Sequence, residues 1–297
     1  RSVAATITTG IAAGANVSGL VPGPDGRIWF TEFNGAAIGA TTTAGTVSTY
    51  AVAGLAQNLQ IVVGPDGNLW TGGYGGTIYK VTSGGALTPY PIVGAHVGDL
   101  TTGSDGNLWF TDYGNAKIGR ITTSGTITEF GGLPAGAEPT GIASGSDGNL
   151  WVTYGAGVAK VSTAGSVLAT YTTGISSGET TNYIIAASDG NLYMTEDAFS
   201  NSIPDKIAKF AVSGAITEIG TLGDNTYPNR LAIGKDGNVY FQDYSAAELG
   251  KVTIASETVT QTALTLSAGD TGTKGICAGA DGKLYLGGSA TIYQVAY

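Results

Sequence analysis

The sequence predicts an all-β fold: a seven-bladed β-propeller with four antiparallel strands per blade, its ring closed by the N-terminal strand. Three observations predict it. Glycine supplies 49 of the 297 residues alongside abundant Thr, Val, Ile and Tyr, the composition of many short strands joined by tight turns. The dipeptide Asp-Gly recurs at 25, 66, 105, 147, 189, 236 and 281, at steps of 39 to 47 residues. An aromatic follows each at the same offset: Trp29, Trp70, Trp109, Trp151, Tyr193, Tyr240 and Tyr285. A repeat of roughly 40 residues built from strands is the period of a propeller blade.

Each element follows from local chemistry. Asp-Gly between two β runs signals a hairpin, read here as a two-residue type I′ turn. In the third repeat the runs after the turn are Leu108-Trp109-Phe110, Lys117 to Ile121 and, past the turn at Ser124-Gly125, Thr126 to Phe130. The seventh repeat offers only three strands before the chain stops. Ala4 to Thr9 reads as an unpartnered strand ahead of the first repeat, so it is expected to complete the last blade and leave no open edge. Residues 1–297 then form a single propeller domain. The repeated aromatics are expected to be packing between sheets. Cys277, within an apolar inner strand, reads as a small buried hydrophobe.

Composition excludes several functions. A net charge of -9 argues against nucleic acid, which needs a basic footprint. No apolar run is long enough for a membrane helix. One histidine and one cysteine exclude a multi-histidine metal site and an internal disulfide. The chain begins at Arg1 and is poor in Lys and Met, so a leader removed on export and an extracellular location are expected, as a monomer.

The turn geometry also nominates a functional face. With two-residue turns, loops entering the inner strands and loops leaving the second strands share the face opposite the Asp-Gly turns, where a propeller channel opens. Inner strands would begin there at Gly19, Gln60, Asp99, Gly141, Tyr183, Arg230 and Gly275. Second strands would end there at Glu32, Gly73, Asp112, Tyr154, Glu196, Asp243 and Gly288. Incoming loops add Asn58, His96, Glu138, Glu179, Asn182, Asp224, Tyr227, Asn229 and Lys274, and Phe33, Tyr74, Tyr113 and Tyr244 lie just beyond the second strands. Much of the negative charge is expected to gather at this mouth. In this register Asp99 faces Asp112, two carboxylates that repel unless they share a proton or hold a divalent cation, calcium or magnesium. Arg230 faces Asp243, an expected cross-strand ion pair. His96 in its glycine-rich loop would lie near both Asp99 and Asp112, neighbours that suit a general acid or base.

The run Gly23 to Gly35 (GPDGRIWFTEFNG) and the run Gly106 to Thr122 (GNLWFTDYGNAKIGRIT) resemble the blade signature of the streptogramin B lyase (virginiamycin B lyase) family across the whole chain. The resemblance implies a seven-bladed propeller. It further implies opening of a cyclic peptide lactone by elimination, with magnesium, two histidines and a glutamate. The family's histidines fall seven residues before the turn Asp, positions held here by Ser18, Leu59, Gly98, Thr140, Asn182, Asn229 and Lys274. None is histidine, and Gly272 stands where the glutamate would precede. Glu138-Pro139-Thr140 keeps the frame with threonine in the histidine place. The streptogramin centre is therefore expected to be missing.

Two functions remain. One is a lyase-like enzyme on a carbohydrate or ester, working by general base elimination with His96, Tyr183 or Lys274 as base and Arg230 or a cation at Asp99 and Asp112 as charge stabiliser. A uronate polymer would suit it, provided a cation offset the acidic mouth. The other is a non-catalytic carbohydrate- or peptide-binding module, with aromatics such as Tyr74 and Tyr113 stacking and Gln60, Asn182, Asn229 and Asp243 hydrogen-bonding.

Overall fold

The computed structural model describes residues 3–35, 37–52, 57–198, 203–223, 226–245, 247–268, 270 and 274–296, with only the backbone for Asn58 and Leu59. The described residues form seven four-stranded antiparallel sheets and no helix. The inner strands are Val17–Pro22, Asn58–Val63, Val97–Thr102, Pro139–Ser144, Thr180–Ala186, Pro228–Ile233 and Gly275–Ala278. Each inner strand packs beside those of the two neighbouring blades, closing the ring. The seventh sheet takes its outer strand from the other end of the chain. Val3–Ile7 pairs antiparallel with Ile292–Ala296, as the missing fourth strand of that repeat predicts.

The cores lie between blades. Trp29, Ile38 and Val52 of the first blade pack with Ile61, Leu69 and Val81 of the second, and each other blade junction carries an equivalent cluster. All seven repeated aromatics are fully buried. Their polar edges are not orphaned, because each meets the aspartate of its own turn. Trp109 Nε1 donates to Asp105 at 3.1 Å and Trp151 Nε1 to Asp147 at 3.1 Å, while the Tyr240 hydroxyl donates to Asp236 at 2.9 Å. Glycine enters where an aromatic crosses closely: a Cβ on Gly119 would stand 1.9 Å from Phe110 Cζ.

The hairpin register differs from the expected one. Gly106 N donates to Gly103 O and Gly103 N to Asn107 O, so Ser104-Asp105-Gly106 is a three-residue loop. Gly106 has φ 73° and Asp105 stays out of the left-handed region, the geometry of a type I turn followed by a glycine bulge. The extra residue moves every pair: Leu100 faces Phe110, where two-residue turns would set it against Thr111. A second irregularity lies between Val97 and Leu100. There the Thr111 hydroxyl accepts the Asp99 amide at 3.0 Å, replacing a ladder bond. Thr31, Thr153 and Thr195 do the same for Gly19, Gly141 and Tyr183.

Candidate functional site

The bulge decides where the inner-strand residues point. Gln60, Asp99, Tyr183 and Arg230, each six residues before its turn aspartate, line a channel cavity of about 290 Å³ together with Ile142 and Ser144. These four residues of the list read from the turns lie together, although the pairing expected across each hairpin differs by one residue. At the equivalent positions Gly19, Gly141 and Gly275 let strands approach: a Cβ on Gly275 would sit 2.1 Å from Ser18 O.

Two expected pairings are corrected. Arg230 does not pair with Asp243, because Pro228 occupies that register position. Its Nη1 instead reaches Asp99 Oδ1 at 3.2 Å, from the sixth blade to the third across the channel. Nor does Asp99 face Asp112, since Val97 does. Burial pushes the Asp99 carboxyl up, against the pull of Arg230 and of the amides of Ile142 and Leu100. Asp112 turns into its own loop, accepting the His96 amide at 2.9 Å and the Asn115 side chain at 2.7 Å. The two carboxylates have separate partners.

The expected acidic mouth is also corrected. Glu32, Asp112, Glu196 and Asp243 are all buried. Asp243 repeats the role of Asp112, accepting the Tyr227 amide at 3.1 Å and the Ser245 hydroxyl at 2.9 Å. Asp112 and Asp243 thus hold loops in place, and none of the four lines a mouth cavity.

What lines the mouth cavities is mostly aromatic, amide and cationic, with Asp197 the carboxylate among their described lining residues. Arg230 lies over the Tyr183 ring, 4.3 Å from its centroid. A neighbouring cavity of about 240 Å³ is bounded by Ser18, Phe33, Tyr183, Asn229, Arg230, Tyr244 and Lys274. A third, of about 370 Å³, adds Asn182, Asp197 and Tyr227. Tyr74 and Tyr113 border Tyr183 from the other side across Gly98 and Thr140. Burial raises the Tyr74 hydroxyl, and the neighbouring Tyr183 and Tyr113 add to that. Tyr74, Tyr113 and Tyr244 are 41%, 41% and 44% exposed, a ring of open aromatic faces. His96 stands on this rim, exposed, its ring edge-on to Tyr74 at 5.7 Å. It touches Asp112 through its backbone amide. Asp224 and Gly272 lie outside the described residues, as does the side chain of Asn58.

A magnesium centre of two histidines and a glutamate does not fit these residues. Asn229 and Lys274 border the cavity at the two late histidine places, and a charged ammonium cannot ligate a cation. Among the described residues no group of three His, Cys, Asp or Glu side chains is placed to hold a metal. Cys277 is buried, and burial pushes its thiol far above the ordinary range, which fits a packing role.

Comparison with known proteins places this geometry. No curated protein matches the sequence. Among solved structures, a streptogramin B lyase is 24% identical over 98% of this chain and 96% of its own, with a TM-score of 0.86. A catalytically inactive histidine-to-alanine variant of virginiamycin B lyase from Staphylococcus aureus, determined with quinupristin, is 21% identical over 99% and 98%, at 0.88. The extracellular domain of a protein described as a hybrid two-component system from B. thetaiotaomicron is 16% identical, covering 96% of this chain and 39% of that one, at 0.71. The family model described as the virginiamycin B lyase family matches residues 55–203, half of the sequence, and the chain belongs to that family.

Proposed function

We propose that the chain is a secreted, lyase-like enzyme working at the channel mouth on a carbohydrate or ester substrate rather than on a streptogramin. One observation carries this: Tyr183 borders the channel and the mouth cavities, with the Arg230 guanidinium stacked on its ring and fixed there by Asp99. In an elimination, the Tyr183 oxygen, as the phenolate beside the Arg230 guanidinium, removes a proton from the carbon beside a carbonyl. The C–H electrons form the C=C bond as the β-oxygen departs, and Arg230 offsets the charge on the enolate oxygen. The leaving oxygen takes up a proton from Tyr183 or water. His96, on the rim, contacts ligand rather than moving the proton. An extracellular location is supported by the Lys- and Met-poor composition and by the likeness to an extracellular domain.

A second reading is favoured by the exposed faces of Tyr74, Tyr113 and Tyr244, which suit a non-catalytic carbohydrate- or peptide-binding module. Incubation with polysaccharides and esters, read by mass spectrometry for an unsaturated product, separates the two. Turnover abolished in Tyr183→Phe with binding retained supports the enzyme. Binding without product throughout supports the module.

A further inference from the structure

We propose that Lys274 and Arg230 form a carboxylate subsite, so that the ligand of the mouth is an acidic sugar of the uronate class. This rests on the reading that the mouth takes a carbohydrate. Lys274 Nζ sits between two aromatic rings, 5.0 Å from the centroid of Tyr244 and 5.7 Å from that of Phe33. It makes no ion pair among the described residues. Its neighbour across the cavity, Arg230, is 5% exposed, and its Nη2 is buried with no hydrogen-bond partner among the described residues. Among the described residues no carboxylate lines that cavity.

Most other cations of the described residues differ, although Arg120 also stacks on aromatic rings, Trp109 and Phe130, without an ion pair and with a buried, unpartnered Nε. Arg27, Lys80, Lys160, Lys206, Lys209, Lys251 and Lys283 are all paired with a carboxylate. In a protein of net charge -9, carboxylates are in surplus, yet among the described residues the cavity that these two cations border holds no carboxylate, Arg230 being paired with Asp99 from the channel side. Two nearby acids are committed elsewhere. Asp99 holds Arg230 from the channel side through Nη1, and Asp243 is turned toward Tyr227 and Ser245. Two like charges bordering one cavity repel, and a bound anion relieves this in surroundings where aromatic walls strengthen its attraction. The walls define what carries the anion. Tyr183 and Tyr244 present faces for a sugar ring, and Asn229 and Ser18 supply hydrogen-bonding groups for hydroxyls. A pyranose bearing a carboxylate meets all of these groups at once.

Calorimetric titration with trigalacturonate and with its fully methyl-esterified form tests the subsite, because esterification replaces each negative charge with a neutral methyl ester on the same sugar frame. The acid is expected to bind about tenfold tighter than the ester at low salt, with the preference shrinking as salt rises. Lys274→Met is expected to bring the acid down to the ester's affinity without changing the melting temperature, and Lys274→Arg to keep the preference. Equal affinities in the native protein, no binding of the acid, or an unchanged preference in Lys274→Met overturns the subsite. Selective binding without turnover sinks the enzyme reading alone and leaves the subsite standing.

Discussion

Arg230 and Asp99 stand 131 positions apart in sequence and 3.2 Å apart in space, joining the sixth and third blades across the channel. The two are 5% and 4% exposed. A buried pair is costly to break one side at a time, because the remaining charge is left without its partner. Arg230→Met is expected to destabilise the protein by about 3–5 kcal/mol, while Asp99→Leu together with Arg230→Met recovers most of that loss. Chemical denaturation of the two single variants and the double variant measures the coupling. Additive losses would show that the pair does not cross-link the ring.

The turn aspartates carry a second prediction. Partial burial alone would raise Asp147, but the Lys160 ammonium, the Asn149 side chain and amide and the Trp151 ring N–H hold it down at about 2. Asp66 is held at about 2 in the same way by Lys80, Trp70 and Asn68. A depressed carboxylate stabilises the fold above its unfolded value, near 4, and that contribution is lost as pH falls through the folded value. Melting temperature is therefore expected to drop between about pH 4 and pH 2. Asp147→Asn should flatten that drop, and Asp147→Ala should cost about 1–3 kcal/mol at neutral pH by orphaning the Trp151 ring nitrogen. A melting temperature flat across this acid range would refute the assignment.

The repeat period, the blade count and the closing strand were all legible, because turn dipeptides and buried aromatics recur at fixed offsets. The role of the turn aspartate was not legible. Its spacing to the aromatic, four residues in every repeat, contained the signal, yet Asp-Gly was read only as a conformational preference. The pairing across the channel was hidden for a different reason. A one-residue change in loop length re-registers each hairpin, so Asp99 lost Asp112 and Arg230 lost Asp243 as partners. Counting back from the turn still placed Gln60, Asp99, Tyr183 and Arg230 on one ring, since that count does not depend on the register. Which carboxylates would fold back into loops depended on amides of His96 and Tyr227 that no pattern marks.

His96 tests the division between rim and channel. It is exposed, and its side-chain contact is the edge of Tyr74. His96→Ala is expected to change stability by no more than about 0.5 kcal/mol, as for surface positions generally. It should weaken ligand binding several-fold and leave turnover of bound substrate in place. Loss of turnover with unchanged binding would move the proton-transfer step from Tyr183 to His96.

Glu196 makes the fold lose stability as pH rises toward 8. It is fully buried, its two carboxyl oxygens make no hydrogen bond among the described residues, and Glu218 and Glu179 lie close enough to repel its charge. Burial first, then those two carboxylates, push it up to about 8, with Lys206 pulling the other way. A raised carboxyl keeps its proton in the folded state over a range where the unfolded chain has lost it. The folded state then binds more protons, so stability falls as pH rises from about 4 to about 8 and levels off above that. Glu196→Gln keeps the shape and the neutral charge of the protonated form at every pH. It should match the native protein near pH 4 and exceed it increasingly toward pH 8, read as a widening gap in melting temperature. A constant gap across that range would show that Glu196 is ionised throughout and that Lys206 serves all three glutamates.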